Sequence, residues 1–366
     1  MGERLTRIVM TVDAIGGVWR YAIDLAAGLA TRDIAVTLAV IGPAPNDAQN
    51  AEVEAISGVR LRVTGEELDW RAQTSAEVER TARVVRDIAA QARADLVHVN
   101  SPALLASTAM PAPTIAVNHS CVATWWDAVR GAQAMPPDFV WRAALHARGL
   151  RNADLTVAPS AAFARLSEQR HGLAPMRVVH NCVAPRNVAH DAAAPFVFTA
   201  GRLWDEAKNV FALERVASRL NAPVLAAGPL RAPHGASTRL SATQTLGSLD
   251  QTTLRGLLDR RPVFVSMARY EPFGLAVLEA AQAGCALVLS DMPTFREIWE
   301  GCAVFVPLDD EAALVHAIND LLADDAARAA AGERAQARAA RYSHASFVDS
   351  MCALYDNVLL KQGRAA

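Results

Sequence analysis

Three short stretches of this chain carry residue types suited to a phosphorylated ligand. In "GRLWDEAKN", residues 201–209, Arg202 and Lys208 flank a loop between the end of an apolar strand and the start of a helix. Two cations and the amides of a helix start can converge there on a diphosphate. The lysine is unusual, because only Lys208 and Lys361 among the 36 basic residues are lysine. An ammonium is a compact point charge where a guanidinium is a planar fork. A position that keeps lysine against this bias is therefore one where the two would differ. A surface ion pair with Asp205 or Glu206 is the blander reading, and it would tolerate either cation. In "RYEPFGLAVLEAAQAG", residues 269–284, Glu271 precedes a helix expected from Gly274, and Glu279 lies in its second turn on an otherwise apolar face. A carboxylate in such a place needs a partner. Glu271 would sit beside the unsatisfied amides of Phe273, Gly274 and Leu275. Two such carboxylates suit an acid/base pair or hydrogen-bond acceptors for ligand hydroxyls, and the second suits a sugar better. In "DAIGGVWRY", residues 13–21, Gly16 and Gly17 would let backbone amides approach an anion at a helix start. A plain strand-to-helix turn would look the same, and no GxGxxG follows any strand, which weighs against a dinucleotide site.

The elements that must position these residues alternate from one end of the chain to the other. Short Val/Ile/Leu runs ("RIVMTV", "AVTLAVI", "VRLRV", "ADLVHVN", "PTIAVN", "LTVAPS", "RVVHN") are separated by helix-period segments, which predicts parallel strands with crossover helices. After "NCVAPRNVAHDAAAP" the pattern restarts with "FVFTAG", a helix over 208–220, "PVLAAG", a helix "DQTTLRGLLDRR", "PVFVSM", a helix "GLAVLEAAQAG", "CALVLS" and "AVFVP". The fold class read from this is α/β, with two Rossmann-like doubly wound domains facing across a cleft and a boundary near 183–195. The domains are expected at 1–183 and 184–342, with a C-terminal helix over 343–366. Its apolar row Phe347, Met351, Leu354 and Val358 needs a partner surface. Ligands of open α/β sheets bind beyond the carboxyl ends of strands, which is where the three stretches fall.

Composition narrows the function classes. With 366 residues, 52% hydrophobic, two domains with real cores are expected. A net charge of −2 without a basic half argues against a nucleic-acid partner. The five cysteines (Cys121, Cys182, Cys285, Cys302, Cys352) show no metal-ligand or redox spacing and read as reduced thiols of a cytoplasmic protein. No secretion signal or membrane-spanning run is evident, so a soluble protein is expected. The Ala/Arg segment "AARAAAGERAQARAARYS" reads as a solvated helix rather than an anion site.

In order and spacing over nearly the whole chain, the three stretches resemble the retaining glycosyltransferases of the GT-B fold, most closely glycosyltransferase family 4. The specific match is "EPFG" followed by Glu279; the glycine pair is not specific. The resemblance implies that Arg202 and Lys208 hold the diphosphate of a nucleotide-sugar donor, Glu279 the ribose hydroxyls, and Glu271 with the amides after Phe273 the transferred sugar. It implies that Gly17 lies against the donor phosphates and that His119 in "AVNHSC" lies beside the sugar. It also implies that no metal or other cofactor is needed and that the last helix crosses back to the N-terminal domain. UDP-sugars and GDP-mannose are both compatible, with an edge to UDP. The chain departs from the family pattern at Ser120 after His119, at Cys182 after Asn181, and in "DMPTFREIW", which keeps Glu297 but no glycine pair.

The acceptor side is marked only by "CVATWWDAVRGAQAMPPDFVWR", read as a long irregular insertion. Trp125, Trp126 and Trp141 there would stack on a sugar or meet a membrane surface, and core packing is expected for at least one. The acceptor is thus unassigned, and a transient peripheral association with the inner membrane surface is compatible with the sequence. Two other functions fit the same residues: a nucleotide-sugar epimerase of this fold, which needs no acceptor, and a non-catalytic nucleotide-sugar-binding subunit.

Overall fold

The computed structural model describes residues 5–184, 196–232 and 235–362. The chain divides into two compact units, one of Met1–Cys182 with His344–Ala366 and one of Val183–Ser343. Of the connection expected between them, residues 185–195 lie outside the described residues.

Unit 1 is built on seven parallel strands: β1 (Arg7–Asp13), β2 (Ala35–Ile41), β3 (Val59–Val63), β4 (Leu96–Val99), β5 (Thr114–Val117), β6 (Leu155–Ala158) and β7 (Arg177–Val178). Their order is β3-β2-β1-β4-β5-β6-β7. The central strands are continuous apolar runs because both faces of a parallel sheet are covered. Ile8, Val9, Met10 and Val12 are all buried, as are Val36, Leu38, Ala39 and Val40. The C-terminal helix His344–Gln362 belongs to this unit. Phe347, Val348, Met351, Tyr355 and Val358 are buried with Ala22, Leu25 and Leu29 of the helix Gly17–Ala30, while Leu354 packs only at the margin. Each fully buried apolar side chain in that row contributes roughly 1.5–3 kcal/mol, which is what holds a distant segment to this sheet.

Unit 2 repeats the plan with β8 (Val197–Ala200), β9 (Val224–Ala227), β10 (Gln244–Gly247), β11 (Val263–Ser266), β12 (Ala286–Ser290) and β13 (Val304–Val306), all parallel and ordered β10-β9-β8-β11-β12-β13. In each sheet the order reverses beside the first strand, between β1 and β4 and between β8 and β11. That switch point is where chains diverge above the sheet and leave a crevice at the strand ends.

Three sequence expectations change. The helix expected from Lys208 starts at Val210, because Asn209 takes a left-handed φ of 50° that ends a 3₁₀ turn over Glu206–Lys208. The insertion read as irregular is a pair of helices, Val122–Arg130 and Pro137–Asn152, parted at Gly131 with φ 59°. Strand β10 is absent from the sequence reading. Among the described residues no helix is long and apolar enough to cross a membrane.

Candidate active site

In unit 2 the residues after β8 and after β11 are bound to one another. Asn209 Nδ2 donates to the Met267 carbonyl at 2.9 Å, and the amide of Arg269 donates to the Ala207 carbonyl at 2.8 Å. The "EAKN" turn and the loop that leads to Glu271 are therefore one hydrogen-bonded body. Asp205 Oδ1 caps that turn by accepting from the Ala207 amide at 3.0 Å. The backbone beneath is crowded. Gly228, after β9, has φ 136°, and a Cβ there would collide with the carbonyl oxygen of Gly201, so only glycine fits.

The two cations of the first stretch part company. Arg202, 54% exposed, pairs with Asp205 at 2.9 Å and stacks over Trp204, so it takes the local ion pair of the blander reading. Lys208 reaches across 63 residues to Glu271 and forms a direct Nζ–Oε2 ion pair with it. The lysine is 23% exposed and the glutamate 15%. Sequence reading gave these two residues different ligand groups; the structure makes them partners.

Beyond Glu271, Gly274 takes φ 97° and caps the helix Leu275–Gln282, a conformation that favours glycine. The Phe273 side chain is buried in the core, edge-on to Tyr342 at 5.8 Å, so its backbone amide rather than its ring is the group open to a ligand role. Leu275 opens the helix, and one turn later the half-buried Glu279 accepts from Gln251 Nε2 at 3.4 Å.

In unit 1, Gly16 caps the helix Gly17–Ala30, and a Cβ on Gly16 would meet nothing within 4 Å. His119, after β5, bonds Asn100 Oδ1 through Nε2 at 2.8 Å and packs edge-on against Tyr21 at 4.5 Å. Burial, and then the neighbouring His98, push its pKa down to about 3. It is a neutral imidazole at physiological pH, fitted to accept or donate a hydrogen bond but not to supply positive charge. Trp125 and Trp126 stand 6.4 Å apart and are closed by Phe139, with Arg130 about 6 Å over both rings. Trp126 Nε1 donates to the Gln133 carbonyl at 2.8 Å. Contrary to the expectation of core packing, Trp125, Trp126 and Trp141 are all only partly buried. Sequence reading passed over Asn209, Asn100, His98 and Tyr355. An asparagine after a strand in "LVHVN" and another beside the rare lysine were the available signals.

Two family models divide the chain between them: Glycosyltransferase Family 4 matches residues 15–187, and Glycosyl transferases group 1 matches residues 186–338. The chain belongs to glycosyltransferase family 4. Its two parallel α/β units are those of a GT-B glycosyltransferase. Sucrose-phosphate synthase from Thermosynechococcus elongatus superposes with a TM-score of 0.78 over 98% of this chain and 100% of that one, at 19% identity. HepE of Anabaena, in complex with UDP and glucose, superposes with a TM-score of 0.72 over 96% of this chain and 100% of its own, at 16% identity. At such identities the likeness is one of fold. Sequence similarity is local. Glycogen synthase of Mycobacterium tuberculosis is 41% identical over 104 residues, 28% of this glycosyltransferase and 24% of that protein. Phosphatidyl-myo-inositol mannosyltransferase of Mycolicibacterium smegmatis is 32% identical over 116 residues, 31% of this chain and 30% of that protein. The matches thus span less than a third of either relative.

Proposed function

We propose that this glycosyltransferase moves a sugar from a nucleoside-diphosphate donor to an acceptor hydroxyl with retention at the anomeric carbon and without a metal ion. The observation that carries the reading is the Lys208–Glu271 pair, fixed at the switch point of unit 2 beside the helix that bears Glu279. It sets a cation for phosphate next to a carboxylate for sugar hydroxyls on a rigid body. Lys208 and Arg202 stabilise the charge that grows on the departing diphosphate. The acceptor oxygen bonds to the anomeric carbon as the carbon–phosphate oxygen bond breaks, and the acceptor's proton passes to the phosphate oxygen. Glu279 accepts from the ribose hydroxyls, Glu271 and the amides of Gly274 and Leu275 bind the sugar, and Gly16 and Gly17 leave room for the phosphates. In unit 1, His119 accepts a hydrogen bond from a substrate hydroxyl, and the Trp125–Trp126 cluster offers an aromatic face to the acceptor.

The proposed donor is a UDP-sugar or GDP-mannose, and the UDP and glucose held by HepE favour the first. The test is a thermal-shift panel of UDP-, GDP- and ADP-sugars, followed by nucleoside diphosphate release with and without candidate acceptors. A donor at 100 times its dissociation constant should add about 2.7 kcal/mol to the folded state. No shift with any nucleotide sugar would overturn the proposal. Turnover to a new sugar without an acceptor would instead identify an epimerase.

A further inference from the structure

Behind the partly buried His119, unit 1 holds a chain of hydrogen bonds, buried at its Tyr355 and His98 end, whose directions can be worked out from one fixed point. Asn100 Nδ2 lies 2.7 Å from the Thr11 carbonyl, and the Asn100 amide donates to Thr11 Oγ1 at 2.8 Å. A carbonyl only accepts, so this contact identifies the NH₂ end of the amide and turns Oδ1 the other way. Oδ1 meets His119 Nε2 at 2.8 Å and His98 Nε2 at 3.0 Å. An amide oxygen cannot donate, so both imidazoles carry their proton on Nε2. Burial holds both rings neutral, with His98 at about 4 and His119 at about 3. Each Nδ1 therefore carries a lone pair. His98 Nδ1 stands 2.8 Å from the Tyr355 hydroxyl, which must donate to it. Tyr355 is fully buried, and burial raises its phenol well above the usual tyrosine range, so the proton stays in place.

We propose that Tyr355, on the C-terminal helix, is a positioning residue for His119: its hydroxyl holds His98 in place to donate to Asn100 Oδ1, the same oxygen that anchors His119 with its Nδ1 lone pair open to a substrate hydroxyl. This rests on the reading of His119 as a substrate contact. The helix that completes the core of unit 1 is thereby also part of the catalytic arrangement. Without the tyrosine hydroxyl, His98 Nδ1 is a buried acceptor with no donor. The ring keeps its proton on Nε2 facing Asn100 Oδ1 but is no longer held from its other side, and the shared anchor of His119 would loosen.

The test compares wild type, Tyr355→Phe, His119→Asn and the double variant. Imidazole ¹⁵N spectra report the tautomers directly, and nucleoside diphosphate release is followed from UDP-glucose or GDP-mannose, whichever the wild-type enzyme turns over. Wild type should show both His98 and His119 protonated on Nε2. Tyr355→Phe should leave the His98 proton on Nε2, move the His98 Nδ1 resonance to that of a lone pair without a donor, and lower kcat about five- to tenfold, the loss expected for one hydrogen bond, with donor KM within about twofold and little change in Tm. In the His119→Asn background the same substitution should cost nothing further. A wild-type His98 protonated on Nδ1 would overturn the relay even if Tyr355→Phe failed to fold. Wild-type kcat with unshifted spectra in Tyr355→Phe, or an equal loss in the double variant, would overturn it as well. Full activity of His119→Asn with a shifted His98 would instead overturn the substrate contact while leaving the hydrogen-bond chain standing.

Discussion

Replacing Glu271 with glutamine should move donor-product binding and turnover in opposite directions. In the ligand-free protein Lys208 is held by Glu271, so a diphosphate that recruits the lysine must first compete with that carboxylate. Unit charges about 4 Å apart interact by about 4 kcal/mol at an effective dielectric of 20, but removing both from water offsets much of this. A charge-assisted hydrogen bond is worth about 1.5–3 kcal/mol net, and the 23% and 15% exposure of the two side chains trims it further by screening. About 1 kcal/mol of competition remains, so Glu271→Gln should bind UDP or GDP about fivefold more tightly. Losing one repulsive charge near the phosphates acts in the same direction. The transferred sugar, by contrast, loses its charged acceptor, and kcat should fall by about two decades if the contact strengthens as the ring flattens. Calorimetric titration of the nucleoside diphosphate measures the first quantity and steady-state release the second, at one ionic strength. Weaker diphosphate binding by Glu271→Gln would refute the competition and show that the glutamate holds the lysine in place for the phosphate. Unchanged binding would show that Lys208 never meets it.

Lys208→Ala should lower kcat/KM by two decades or more, about 3 kcal/mol. Lys208→Arg should remain well below wild type with unchanged Tm, since a planar fork cannot replace the compact ammonium paired with Glu271 atom for atom; full activity of the arginine variant in the release assay would remove the lysine from the site. Glu279→Gln should raise donor KM with kcat nearly intact, because a ribose contact is shared by ground and transition states, and the KM-against-kcat split checks it. Acid should destabilise unit 1. Burial holds His98 near 4 against the bond to Asn100, and burial first, with neighbouring charges second, holds His171 near 4 and His119 and His146 near 3. The unfolded chain protonates all four as pH falls through 6.5 while the folded protein resists down to about 4 and 3. Stability is thus complete above 6.5 and declines below it, by up to about 1.4 kcal/mol per histidine per pH unit. Denaturant melts with flat midpoints from pH 7 to 5 would contradict that burial.

The two-sheet plan was legible because parallel strands buried on both faces must be apolar throughout, and β1, β2 and β12 could hardly be written otherwise. Strand β10 escaped notice because it is short, opens with the exposed polar pair Gln244 and Thr245, and has Leu246 as its one large apolar residue. Its place is set from outside, by Glu214, which accepts from the amides of Ser241, Ala242 and Thr243; burial, the largest single effect, pushes its pKa up, but hydrogen bonds from Ala242, Ser241 and Thr243 together outweigh it and hold the carboxyl down at about 2. The tryptophan segment misled for a different reason. Its prolines and Gly131 read as loop punctuation, yet Pro137 opens a helix, where its missing amide costs nothing. Asn209 shows the limit of periodicity at the site itself. The apolar spacing from Lys208 onward suits one continuous helix, and only the left-handed turn at Asn209, secured by its bond to the Met267 carbonyl, aims Lys208 at Glu271.

That turn also explains why composition pointed to a residue whose partner it could not name. A bias toward arginine makes a surviving lysine visible, but it says nothing of what lies 63 residues away. The partner is chosen by topology, because β8 and β11 are neighbours only at the reversal of strand order, and the loops that leave their ends meet there. Arg202 lies in the same loop and stays with Asp205 three residues on, a pairing that sequence alone could propose. Lys208 pairs across the switch point, a pairing that requires the sheet to exist first. The ion pair in unit 2 and the Tyr355-to-His119 chain in unit 1 are both of this second kind. In each, a residue with plausible chemistry is legible in the sequence, and the group that sets its charge or its tautomer becomes visible only when distant segments are folded together.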